Sequence, residues 1–242
     1  MALNMLRLLS RHKMESDHMW QVTELIPHIP KNIETKSPRL FFSFYYQVPD
    51  GAFKRAAETW RDEVKKRHNF SVATDHFFER EVTSEASFKQ AWDQLHAKAA
   101  EGHFEVLAGN LLTHASIQDD RNDGLEFAGS DAEDGTLKHS EIVALKKLPW
   151  AKNGFLILCG CNTGLAKGRS WIPAHSFALV QGVPTVGQAG YAYFSKEWMN
   201  YQKTSEKDSQ ICLWAYDRGK NATFFGSGSR MAGLVFKVGK DA

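Results

Sequence analysis

The residues Gly154 to Gly164, G-F-L-I-L-C-G-C-N-T-G, constrain what this chain can fold into more than any other stretch. Phe155, Leu156, Ile157 and Leu158 form a continuous apolar run bounded by glycine at each end. That is the pattern of a strand buried on both faces of a sheet. The run leads into Cys159, Gly160 and Cys161, then into the turn-forming set Asn162, Thr163 and Gly164. In open α/β sheets, function collects where strands reach their carboxyl ends. A thiol at such an end asks for a chemical role.

The rest of the chain can supply the surrounding core. Its 242 residues are 43% hydrophobic and 24% charged, with 16 Phe and 7 Trp, which fits an ordinary globular interior and not disorder. A net charge of +2 makes no electrostatic case for nucleic acid, and no apolar span of membrane-crossing length is present. The three cysteines are Cys159, Cys161 and Cys212, and the first two are too close for a normal structural disulfide. This suits a reducing, cytoplasmic setting. Met1 to Leu9 is apolar but carries Arg7 inside it and no small-residue cleavage site, so it reads as a short docking helix and not a signal peptide. Residues 14–38 contain Pro27, Pro30 and Pro38 and read as an extended lead-in. The expected organisation is a lead-in or docking segment over 1–38 and one domain over 39–242.

Strands and helices alternate through most of that domain. Leu40 to Tyr46 is a first strand, and Phe53, Ala56, Ala57, Trp60 and Val64 mark a helix ending in Lys65, Lys66, Arg67 and His68. A second strand is expected from Val72 to Glu79, then a helix capped by Ser84 and closed by Gly102. A third strand runs from Phe104 through Leu112 to His114. Leu125 to Ala128 suggests a hairpin over the sheet edge, and Ser140 can cap a helix through Lys147. Pro173 opens a further helix with Gly182 as its C-terminal cap, and Val183 to Gln188 is a strand. A helix near Tyr193 to Tyr201 and strands over Ile211–Tyr216, Thr223–Phe225 and Leu234–Val238 complete the expectation, the last strands pairing as an antiparallel edge hairpin. Such alternation implies a mostly parallel sheet.

Cys161 needs a base to become a nucleophilic thiolate. Among ten histidines, His114 also ends an apolar strand, in L-L-T-H-A-S, and lies 47 residues upstream of Cys161. A histidine about 50 residues before the cysteine is the caspase-type order. A papain-like enzyme needs its histidine about 130 or more residues after the cysteine, and only 81 residues follow Cys161. A hydrolase nucleophile elbow needs glycine two positions before the nucleophile, where this chain has Cys159. The only histidine after Cys161 is His175, inside the Pro173 helix.

His114 in that setting, the segment D-G-T-L-K-H-S-E-I from Asp134 to Ile142, the L-C-G-C-N-T-G of Leu158 to Gly164 and the G-V-P-T-V of Gly182 to Val186 together resemble the CHAT family of caspase-like proteins. The resemblance spans Phe104 to Tyr193. It implies a three-layer caspase-like sandwich, with a mostly parallel central sheet, helices on both faces and an antiparallel C-terminal edge. It also implies a cofactor-free cysteine endopeptidase, in which His114 is the acid–base residue and Cys161 the nucleophile. The backbone N–H groups of Ala115 and Cys161 would hold the oxyanion. The chain departs from the family in having Ala115 where glycine is common after the histidine, and Lys167 and Arg169 in the loop after Gly164.

The acidic segment Gln118 to Asp134 fails as a calcium loop, because Arg121 and Ser130 stand where ligands are required. Asp119 and Asp120, its acids nearest His114, are candidates for binding a basic substrate residue. Cys159 reads as a core residue, as does Cys212, and a Cys-x-Cys spacing is too short for a usual zinc pair. The expected partners are a protein or peptide substrate and a separate regulatory protein, with neither nucleic acid nor membrane. Two other functions stay open: a non-catalytic caspase-fold interaction module, and a thiol amidase acting on small amides.

Overall fold

Phe41, Phe42 and Phe44 alternate across a strand and so send rings to opposite sides of a sheet. In the computed structural model this is what organises the two helical layers. The structure describes residues 23–25, 37–49, 51–116, 124–127, 135–164, 171–188, 192–195, 212–215 and 233–236. Among these, the strands are β1 (Thr23–Leu25), β2 (Arg39–Tyr46), β3 (His76–Val82), β4 (Glu105–Leu112), β5 (His114–Ser116), β6 (Gly124–Glu126), β7 (Thr136–Leu137), β8 (Trp150–Cys159), β9 (Thr185–Gln188), β10 (Ala192–Ser195), β11 (Cys212–Ala215) and β12 (Gly233–Phe236). The helices are α1 (Ala52–Arg67), α2 (Glu85–Glu101), α3 (His139–Ala144) and α4 (Pro173–Gln181). No helix among the described residues is long and apolar enough to cross a membrane.

The main sheet runs in the order β1-β12-β9-β8-β4-β2-β3. Its five strands β3, β2, β4, β8 and β9 are parallel; β12 adds to β9 antiparallel, and β1 adds to β12 antiparallel. Phe42 and Phe44 meet Phe88 and Trp92 of α2 edge to face, and Trp92 in turn touches Phe177 of α4. Phe41 faces the other way, towards His68 and Phe70 just beyond α1. The α/β architecture with a parallel centre and an antiparallel edge is therefore as expected. Two small sheets accompany it, β5-β6-β7 and β10-β11.

Several boundaries differ from the sequence reading, each for a local reason. β3 starts at His76 and not Val72, because the carboxylate of Asp75 accepts from Ser71 N at 2.8 Å and pairs with the Arg39 guanidinium, closing residues 71–75 into a turn. The third strand breaks at Thr113: β4 stays in the main sheet, while β5 joins β6 and β7. Ser140 is not a cap, since α3 begins at His139 and Glu141 accepts from Lys138 N at 2.8 Å. Glu141 also binds Lys89 of α2 at 2.6 Å, and Lys89 pairs with the buried Glu85. Burial alone would lower the Lys89 ammonium, but these two carboxylates hold it above its ordinary value. Ala192–Ser195 is a strand and not the start of a helix; its Ala-Tyr-Phe run pairs in parallel with β11. β11 and β12 belong to different sheets, and the hairpin expected across Asp217–Asn221 lies outside the described residues. Thr23–Leu25, within the expected lead-in, forms the outermost strand of the main sheet. The docking helix over Met1–Leu9 and the strand over Thr223–Phe225 fall outside the described residues.

At the amino end of the sheet, His68 is buried at 1% exposure against Phe41 and Phe155. Burial, reinforced by the nearby Arg39 and Arg67 charges, lowers its pKa from 6.5 to about 4. The unfolded chain thus binds the extra proton first, and stability falls as pH drops through 6.5 towards 4. From about pH 7.5 to about pH 5 the loss from this group is about 2 kcal/mol. His68→Phe is expected to abolish that component, measured by urea unfolding at both pH values. An unchanged pH slope in the variant contradicts the assignment.

Candidate active site

Two strand ends create the site. In the main sheet Leu112 is the partner of Cys159, so Thr113 and His114 leave β4 beside Gly160 and Cys161 leaving β8. The contact is close: a Cβ placed on Gly160 would lie 3.1 Å from Thr113 O and 3.3 Å from the Cβ of Ala115. A side chain at Gly160 would require these neighbours to give by a few tenths of an ångström. The structure therefore brings the segments carrying His114 and Cys161 together, with Ala115 against the cysteine turn.

The cysteine turn is held from behind by β9. Cys161 is half-buried, and Asn162 after it is buried with φ 55°, a left-handed conformation that asparagine tolerates better than most residues. The Thr163 hydroxyl lies 3.0 Å from Gly160 O and 3.2 Å from Leu158 O, and accepts from Gln188 N at 3.0 Å. Gly164 N donates to Gln188 O at 2.8 Å, and the Gln188 side-chain amide donates to Leu158 O at 3.3 Å. Ala174 N, in the first turn of α4, donates to Thr163 O at 2.9 Å. The C-N-T-G turn is thus fastened to both β9 and α4.

His114 is exposed and sits on β5, its ring 5.0 Å from Phe53 and 6.0 Å from Tyr46. Phe53 comes from the first turn of α1 and Tyr46 from the carboxyl end of β2, so three segments converge on one imidazole. Beside Tyr46, Tyr45 is pushed up to about 12 by burial and then by the charges of Glu81, Glu79 and Glu58, and it stays neutral at physiological pH. Ala115 is extended strand, so its backbone does not need the positive φ that would favour glycine.

Cys159 is fully buried, its thiol donating to Asn110 Oδ1 at 3.2 Å, as suits a core residue. His139 starts α3 exposed, its Nδ1 2.9 Å from the Ser176 hydroxyl and its ring 5.3 Å from Trp171. Asp119 and Asp120, and likewise Lys167 and Arg169, lie outside the described residues. Sequence reasoning missed Tyr46, Phe53 and Gln188 as parts of the site. The strand-end rule that singled out His114 also applied to Tyr46 and Gln188, whereas nothing local marks Phe53.

The structure thus places a half-buried thiol on a fastened turn, and that turn meets the segment that carries His114. No protein-family model matches the chain, and no curated protein matches it.

Proposed function

We propose that this protein is a cysteine endopeptidase of the caspase-like, CHAT type, cleaving a protein substrate with His114 and Cys161. The observation that carries the reading is the approach of Gly160 to Thr113 and Ala115, which joins the two strand ends at the carboxyl edge of a parallel sheet. The family resemblance of the C-N-T-G and D-G-T-L-K-H-S-E-I segments supports it from the sequence side.

The chemistry follows from these residues. His114 takes the Cys161 proton, and the thiolate adds to the scissile carbonyl carbon. The oxyanion is held by the backbone N–H groups of Cys161 and Ala115. His114 then returns its proton to the departing amine as the C–N bond breaks, leaving a thioester on Cys161. Water, deprotonated by His114, adds to the thioester; the thiol leaves and takes up the proton. No cofactor is needed. The protein would act in the cytoplasm, where its thiols stay reduced. The test is cleavage of a peptide library by wild type and Cys161→Ala. Cleavage by wild type alone supports the reading, and equal cleavage by both overturns it. An inert wild type that binds a protein partner favours the interaction module.

A further inference from the structure

We propose that Glu126 is a positioning residue for His114, so that the dyad is a Cys161, His114 and Glu126 arrangement. The inference rests on the reading of His114 and Cys161 as acid–base residue and nucleophile. β5 and β6 pair antiparallel, with His114 the direct partner of Glu126, Ala115 of Leu125 and Ser116 of Gly124. Direct partners in an antiparallel pair project to the same face, with Cβ atoms about 4.5–5.5 Å apart. The intervening row, Ala115, Leu125 and Leu137, is buried in the core. His114 and Glu126 therefore share the opposite face, where His114 is exposed and Glu126 half-exposed.

The surroundings explain why a carboxylate is useful there. Phe53 and Tyr46 pack against the His114 ring, and aromatic carbon alone does not stabilise an imidazolium by hydrogen bonding. Lys54 and Arg55 follow Phe53 on α1. Other titratable groups on these elements include Glu58 further along α1, Tyr45 and Tyr46 of β2, and the Cys161 thiol itself. Glu126 is the acid that the strand register brings opposite the imidazole. At cross-strand distance its carboxylate can accept from the ring and bias its orientation when Cys161 loses its proton. No hydrogen bond links the two side chains in this structure, and catalytic hydrogen bonds often tighten only with substrate bound.

The test uses the full chain and no substrate. The pH profile of Cys161 alkylation by iodoacetamide is followed by peptide mass spectrometry. Glu126→Gln is expected to slow alkylation near neutral pH several-fold. Glu126→Asp should retain most of the wild-type profile, which a merely structural role does not require. An alkylation profile unchanged in Glu126→Gln overturns the proposal. If Glu126→Gln misfolds by circular dichroism, Glu126→Ala is read in the same way. A His114→Ala protein that alkylates with the wild-type profile overturns the underlying Cys–His reading instead, so the two failures are distinguishable.

Discussion

Cys161→Ala is expected to reduce peptide cleavage to background, a loss of about 10^4-fold or more, because removal of the nucleophile leaves only binding and oxyanion contacts. His114→Ala should cost a comparable factor, and the double variant little more, since nucleophile and base act as one unit. Neither change should alter thermal stability much, as Cys161 is only half-buried and His114 is exposed. The contrast with Cys159→Ala is informative. That thiol is fully buried and bonded to Asn110, so its loss should cost stability while leaving the pH profile of cleavage in place. Initial rates and melting curves on the three single variants separate these roles.

The second large effect is expected at Gly187. A Cβ there would lie 2.6 Å from Gly164 N and 2.6 Å from the Cβ of Ala174, against backbone and a helix that cannot easily retreat. Gly187→Ala must therefore push β9 away from the cysteine turn or displace α4. Either movement stretches the Gly164 N to Gln188 O bond of 2.8 Å and the Gln188 N to Thr163 hydroxyl bond of 3.0 Å. Overpacking of this kind costs about 1–3 kcal/mol or more, and misplacing a nucleophile by about 1 Å can cost about 10^2-fold in rate. Urea unfolding and single-turnover cleavage on Gly187→Ala measure the two consequences. A variant with wild-type stability and rate shows that the turn is not fastened through β9.

The parallel core was legible because it is written in local patterns. The Phe155–Leu158 run, the Ser84 cap and the Pro173 to Gly182 helix with its left-handed cap each need only a few neighbouring residues. The shared edge of the segments carrying His114 and Cys161 was legible for a related reason: both follow apolar strands, and parallel strand ends lie side by side. What was not legible depends on distant contacts. The turn that delays β3 comes from Arg39 reaching Asp75, 36 residues away. Thr113 looks like one more strand residue, yet the chain changes sheets there because β5 finds its partner in β6. The Ala192–Ser195 strand exists through pairing with β11, which helix periodicity cannot anticipate. Glu126 was visible only as one acid among many until the strand register set it opposite His114.

The most direct test of the central claim is covalent trapping by a library of peptidyl acyloxymethyl ketones, mapped by mass spectrometry. The Cys161–His114 account predicts a single adduct on Cys161 in wild type, strongly slowed in His114→Ala at neutral pH. An adduct on Cys159 or Cys212, or equal labelling of Cys161 with and without His114, would contradict it.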